Sequence, residues 1–314
     1  MPRTQSLTVV IAAHNEEAAL PILHPRLMRV LDGLDLETRV IYVDDGSRDG
    51  TWELLRRFAE ADPRVGVVRL ARNFGKEVAL TAGLDLVEAD AAVVLDADGQ
   101  DPPELIPEFV ARWREGWDVV YGTRISREGE SWLKRFTAAG FYRVMAWLSD
   151  TAVPRDTGDF RLIARPVLDA LRQMRERQRF MKGLFAWVGF RQLAVPYARE
   201  PRLAGGSKFN YWRLWNLALE GITSFSTVPL RLATYIGVAT ALLAFIWGLV
   251  IVVRTLAWGD EVQGWPTMMT VILFLGGLQL VALGIIGEYL GRIYLETKQR
   301  PLYLVAELRP PAVS

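Results

Sequence analysis

The chain has 314 residues, a net charge of +1 and 51% apolar residues, so it holds a sizeable folded core and carries no field strong enough to mark a nucleic-acid binder. It contains no cysteine, which excludes disulfides, zinc–thiolate sites and thiol nucleophiles. The opening stretch, "MPRTQSLTVVIAAHNEE", has an apolar run too short for a signal peptide and reads as a first strand.

The first 125 residues alternate short β-rich runs with amphipathic stretches. Strands are expected at Leu7–Ala12, Val40–Val43, Val65–Leu70, Ala91–Leu95 and Asp118–Tyr121. Helices are expected near 16–31, 50–61, 76–88 and 103–115. This βαβα order predicts an α/β domain with a mostly parallel, Rossmann-like sheet covered on both faces. Ligands gather at the carboxyl ends of such strands. Three of the strands end in polar clusters: His14-Asn15-Glu16, Asp44-Asp45-Gly46-Ser47 and Asp96-Ala97-Asp98.

Each cluster suggests a chemistry. In "DDGSRDGT", Gly46 allows a tight turn and a carboxylate could accept from a base edge or ribose hydroxyls, while Ser47 or Asp49 could simply cap a helix starting near Thr51. In "RLARNFGKEVAL", Arg72 and Lys76 flank a glycine at a helix start and suit a phosphate or a nucleobase carbonyl; a solvated turn would look the same. In "DADGQ", alternation sends Asp96 and Asp98 to one side of an extended chain, where all-oxygen ligands suit Mg2+ or Mn2+.

Further along, residues 131–149 mix Trp132, Phe136 and Trp147 with Lys and Arg, as a helix lying at a membrane surface would; a helix packed on the soluble domain is the alternative. Residues 209–228 form a second segment of this kind. Two stretches, 232–253 and 262–287, carry no charge and are long enough to cross a hydrocarbon core ~30 Å thick. Arg199, Arg202, Lys208, Arg213 and Arg231 precede the first, and Arg292, Lys298 and Arg300 follow the second. The connecting loop offers Arg254 against Asp260 and Glu261. Positive-inside bias therefore predicts a multi-pass protein of the inner (plasma) membrane with both ends cytoplasmic. The expected layout is a cytoplasmic domain over 1–208, a transmembrane hairpin over 229–290 with spans at about 232–253 and 266–287, and a cytoplasmic tail over 291–314, loosely ordered from Pro301 to Ser314.

The strings "VIAAHNEEAAL", "YVDDGSRDGT", "ARNFGKEVALTAG" and "LDADGQDPPE", in this order, resemble family-2 glycosyltransferases of the GT-A fold. "YGTR", "DTGDFRLIAR", "RFMKGLFAWVGF" and "RLAGGSKFNYWRLWNLALEGITSFSTVPLRL", with the two spans, resemble the bacterial polyprenyl-phosphate glycosyltransferases. That resemblance implies a nucleotide pocket lined by Asn15, Glu16, Asp44, Asp45, Arg72 and Lys76. It implies a metal, Mg2+ or Mn2+, on Asp96 and Asp98, with Gln100 close to it and to the donor phosphates. Asp159 or Asp156 would sit by the sugar and acceptor, with Asp159 favoured. Arg124 and Lys134 would meet the lipid phosphate, and Arg202 and Lys208 would close over the phosphates. Relatives often carry a serine four residues after the counterpart of Lys134, where this chain has Ala138.

The implied reaction is inverting transfer of a hexose, glucose from UDP-glucose by resemblance, to polyprenyl (undecaprenyl) phosphate. Mannose, N-acetylglucosamine or modified arabinose are the alternative sugars. A processive polysaccharide synthase would be expected to carry a Gln-x-x-Arg-Trp motif, and the sequence has none. A sugar-nucleotide sensor would be expected to lose the Asp-x-Asp pair, which is present. The expected partners are the nucleotide sugar, the lipid and the membrane, with homo-oligomerisation left open.

Overall fold

The computed structural model describes residues 5–124, 157–177, 179, 181–198, 200, 228–258 and 264–312. The expected surface helices at 131–149 and 209–227 lie outside these residues, as do Asp156, Lys134, Arg202 and Lys208.

The chain opens with β1 (Ser6–Ala13), α1 (Leu20–Asp32), β2 (Glu37–Asp44), α2 (Thr51–Ala61) and β3 (Val65–Leu70). It continues through α3 (Lys76–Asp85), β4 (Ala91–Asp96), α4 (Ile106–Arg114, entered by a 3-10 turn at Pro103–Leu105) and β5 (Val119–Arg124). Then come β6 (Thr157–Ala164), α5 (Arg165–Gln173), α6 (Met181–Trp187) and β7 (Gln192–Tyr197). All five strands expected from the sequence form, within one or two residues at most ends.

The eight-stranded sheet, completed by β8 (Val305–Arg309), runs β7-β5-β6-β4-β1-β2-β3-β8. Its centre, β3-β2-β1-β4, is parallel, while β6 enters antiparallel between β4 and β5. The order reverses beside β1, so the crevice past the carboxyl ends of β1 and β4 is the topological switch point. Strand alternation divides the core. Leu7, Val9 and Ile11 pack with Leu23, Leu27, Leu55 and Phe109 of α1, α2 and α4. Val10 faces the other way, with Leu80, Leu168 and Phe185 of α3, α5 and α6. α3 lies so close to the sheet that a Cβ on Gly83 would stand 2.4 Å from Val10 Cγ1.

Two long helices follow: α7 (Val228–Trp258) and α8 (Trp265–Thr297). Leu232–Ile251 and Phe274–Thr297 are long and apolar enough to cross a membrane, and neither is buried against the rest of the chain. α8 runs ten residues beyond the expected end of its span at 287.

The expectation of a loosely ordered tail is overturned. Val305–Arg309 forms β8, antiparallel to β3. Ala71 N–H donates to the Leu304 carbonyl at 2.8 Å, and Ala312 N–H to the Pro63 carbonyl at 2.8 Å. The cause is non-local: without β8, β3 would present an open row of unpaired backbone groups.

Candidate functional site

The carboxyl ends of β1 and β2 are tied into one surface. Asp45 N–H donates to the Ala13 carbonyl at 2.9 Å, and His14 Nδ1 lies 2.9 Å from the Asp45 carbonyl. Asn15 turns the chain with φ 57°, a left-handed conformation that asparagine tolerates. Its N–H donates to Ser47 Oγ at 3.0 Å, and its side-chain oxygen accepts from Arg48 N–H at 2.9 Å. Glu16 N–H donates to Thr51 Oγ1 at 2.9 Å. Ser47 is therefore committed to the turn after β1, and α2 begins under Asp49, whose carboxylate accepts the Thr51 N–H at 3.1 Å.

The two acidic residues that end β2 differ in task. Asp44 is fully buried, accepts the Ser47 N–H at 3.0 Å and has Arg69 Nε 3.5 Å from its other oxygen. Asp45 grips the next loop, accepting Phe74 N–H at 2.7 Å and Gly75 N–H at 2.9 Å. Burial raises its pKa, and these two hydrogen bonds work against that rise. Gly46 is required here: its φ is +64°, and a Cβ would stand 2.6 Å from Asn73 N. The loop so held carries Arg72, exposed, with its guanidinium 4.3 Å from the Phe74 ring centroid.

At the end of β4, Asp96 meets Lys76 and Asp159. Lys76 Nζ lies 2.7 Å from Asp96 Oδ1 and 2.5 Å from Asp159 Oδ2. The Lys76 side chain as a whole is 44% exposed, but its ammonium is enclosed by the two carboxylates. Loss of hydration there lowers the lysine pKa; Asp96 and Asp159 outweigh it and raise the pKa. The sequence expectation put Lys76 on the donor, and its ammonium here sits on the carboxylate pair. Asp98 accepts the Gln100 N–H at 3.1 Å. Gln100 in turn joins Glu200, whose N–H donates to the Gln100 carbonyl at 3.0 Å. Arg124 closes β5 opposite Tyr197 of β7.

Three neighbours of Asp159 escaped the sequence reading. Arg161, 4% exposed, donates to the Gly158 carbonyl at 2.9 Å and lies 3.9 Å from the Phe185 ring centroid. Burial, the largest influence, lowers its pKa to about 10. Glu77 accepts the Met181 N–H at 3.2 Å; burial first, then the Asp159 charge, push its carboxyl up to about 7. Lys182 completes the cluster. Burial favours a neutral Asp159, but Lys76, Lys182 and Arg161 hold it well below the usual carboxylate range. Asp159 is thus an anion at any working pH, a poor proton acceptor and a good electrostatic anchor. All three stand in the quoted strings, Glu77 beside Lys76, Arg161 in "DTGDFRLIAR" and Lys182 in "RFMKGLFAWVGF", but only the fold brings them to Asp159.

The carboxylates at this strand end suit a divalent cation. Asp96 and Asp98 supply hard oxygens from one strand end, and Asp159 Oδ1 is buried without a hydrogen-bond partner. Among the described residues no three His, Cys, Asp or Glu side chains converge as a complete cage. One or two carboxylates plus substrate phosphates is how Mg2+-type sites are commonly built, so the residues fit such an ion.

Comparison with known proteins agrees with this geometry. Residues 8–172 match the model for glycosyl transferase family 2, and residues 228–293 match that for the GtrB C-terminal hairpin. An uncharacterized glycosyltransferase of Synechocystis sp. is 50% identical over 97% of this chain and 96% of its own. A bactoprenol glucosyl transferase of Shigella phage SfX is 45% identical over 95% of this chain and 98% of its own. A prophage bactoprenol glucosyl transferase homolog of Escherichia coli K12 is 43% identical over 96% and 99%. The sheet with its strand-end carboxylates, and the family match over more than half the chain, give one conclusion: the chain is a glycosyltransferase and belongs to glycosyl transferase family 2.

Proposed function

We propose that this enzyme transfers glucose from UDP-glucose to a polyprenyl phosphate, with inversion at the anomeric carbon, at the cytoplasmic face of the membrane. One observation carries the reading: the likeness to bactoprenol glucosyl transferases spans both the catalytic sheet and the apolar hairpin. The acceptor is a phosphate monoester, already anionic near neutral pH, so no strong base is needed. That fits an Asp159 held as a permanent anion. Its part is to orient the acceptor or a sugar hydroxyl, with Lys76 and Arg161 fixing where it stands.

Asn15, Glu16, Asp45 and Arg72 form the nucleotide side of the pocket, and the buried Asp44 holds the turn beneath it. Asp96 and Asp98 would hold the divalent cation, Mg2+ or Mn2+, which would neutralise the charge of the leaving diphosphate. Arg124, Lys134, Arg202 and Lys208 meet the lipid phosphate. The cation-rich flanks of the hairpin support a topology with both chain ends in the cytoplasm.

Purified enzyme incubated with polyprenyl phosphate and a panel of labelled nucleotide sugars tests this directly. Labelled lipid should form from UDP-glucose. Transfer of mannose or N-acetylglucosamine instead would replace the sugar assignment, and no labelled lipid from any donor would end the acceptor reading. For orientation, a cysteine replacing Lys298 should be shielded from an impermeant thiol reagent until the membrane is opened; immediate labelling in intact cells would reverse the topology.

A further inference from the structure

The last turn of α8 is bolted to the segment that leads into the catalytic cluster. Arg177 lies between α5 and α6. Its backbone N–H donates to Glu296 Oε1 at 2.7 Å, Nη1 donates to the Glu296 carbonyl at 3.1 Å, and Nη2 donates to the Arg300 carbonyl at 2.5 Å. A cation thus sits on a helix C-terminus, where the helix dipole favours it, and its side chain is only 19% exposed. Four residues later Met181 is held by Glu77, and Lys182 adds its charge to Asp159.

The same helix exit is fixed a second time. Tyr303 Oη donates to Asp85 Oδ2 at 2.8 Å, and the Leu304 carbonyl takes the Ala71 N–H. The exit of α8 therefore touches both the α5–α6 connection and the edge of the sheet. α8 has 33 residues. At 1.5 Å per residue it is about 50 Å long, against a hydrocarbon core of ~30 Å, so one end must project into the headgroup layer or beyond. The end that carries Glu288, Arg292 and Glu296 is the charged one.

We infer that Arg177 and Glu296 are positioning residues that set the height of the catalytic pocket above the hydrocarbon surface, so that a membrane-embedded acceptor phosphate arrives at Asp159. The inference rests on the acceptor proposed above. A nucleotide sugar comes from water and can approach at any height. A lipid phosphate cannot: its chain fixes its depth. A rigid joint between α8 and the loop before α6 converts the depth of the helix into the height of the pocket. Arg177 touches no substrate in this scheme and acts only through that joint.

The Arg177→Ala and Glu296→Gln variants, reconstituted in lipid vesicles, separate this role from a general structural one. Each is assayed with long-chain polyprenyl phosphate in the bilayer and with a short-chain, water-soluble prenyl phosphate. Misplacement of about 1 Å can cost on the order of a hundredfold, so transfer to the bilayer acceptor should fall tenfold to a hundredfold, chiefly through its KM. Transfer to the soluble acceptor and binding of UDP should stay near wild type. Equal losses on both acceptors would overturn the inference, because they would mean a damaged pocket. So would unchanged transfer on both. A wild type that uses neither acceptor would overturn the acceptor reading, and this inference with it.

Discussion

Lys76 and Asp159 join two elements that the sequence separates by 83 residues: Nζ at the first position of α3 lies 2.5 Å from Oδ2 on β6. The same ammonium reaches Asp96 at the end of β4. One cation therefore holds together the strand end that bears the proposed metal-site carboxylates and the strand that bears the proposed acceptor aspartate.

Replacing Lys76 by methionine keeps the length of the side chain and removes its charge. Asp159 then loses its hydrogen-bonded counter-charge, its pKa should rise, and the carboxylates should repel each other. Loss of a preorganised charged group in an active site typically costs about a hundredfold or more in turnover. A Lys76→Arg variant, with the charge but a planar head, should fall between the two. Steady-state kinetics decide; wild-type turnover in the methionine variant would remove Lys76 from the mechanism.

The metal assignment turns on Asp98. Asp98→Asn keeps the acceptor for the Gln100 N–H and removes one negative charge from the proposed cation site. Calorimetric titration with Mn2+ and UDP should show weakened metal binding, and transfer should drop by about two orders of magnitude or more, on the scale of losing a charge-stabilising group. Unchanged Mn2+ affinity would place the ion elsewhere.

Much of this site was legible because its residues stand at strand ends. Apolar runs such as Val93–Leu95 mark buried parallel strands, and the carboxylates that follow them must project into the crevice. The residues that surround Asp159 were not legible. Glu77 reads as an ordinary first-turn acid of a helix, and Arg161 as the polar position of an alternating strand. Their burial comes from α6 folding over them, a long-range event with no local signature. β8 was missed for the same reason: "VAELR" is short and carries two charges, and what recruits it is the open edge of β3.

That edge gives a test of the tail. Gly66 lies under Pro311 so closely that a Cβ would stand 2.4 Å from the proline Cδ and 2.8 Å from its nitrogen. Gly66→Ala cannot be accommodated without moving the chain after β8. Hydrogen exchange should show faster opening of residues 305–312 in the variant while β1, β2 and β4 stay protected. Protection of the tail equal to wild type would mean that the strand is held by its ladder alone and tolerates the shift.

Glu77 makes a prediction about pH. Its carboxyl is pushed up to about 7 from an ordinary 4.5, by burial first and by Asp159 second. Between those two values the folded chain keeps a proton that the unfolded chain has released. The stability due to this group is therefore complete below the unfolded value and is lost as pH rises through the folded one. Asp159 acts with the opposite slope, but its pKa is depressed, so its window lies below the ordinary carboxylate range and does not overlap. In Glu77→Gln the amide oxygen can still accept the Met181 N–H, while the titration is gone. Thermal unfolding in detergent, followed from about pH 5 to about pH 8, should show wild-type Tm declining relative to the variant across this interval. Parallel curves would mean that Glu77 is ionised throughout and that the Lys76 and Lys182 charges dominate its surroundings.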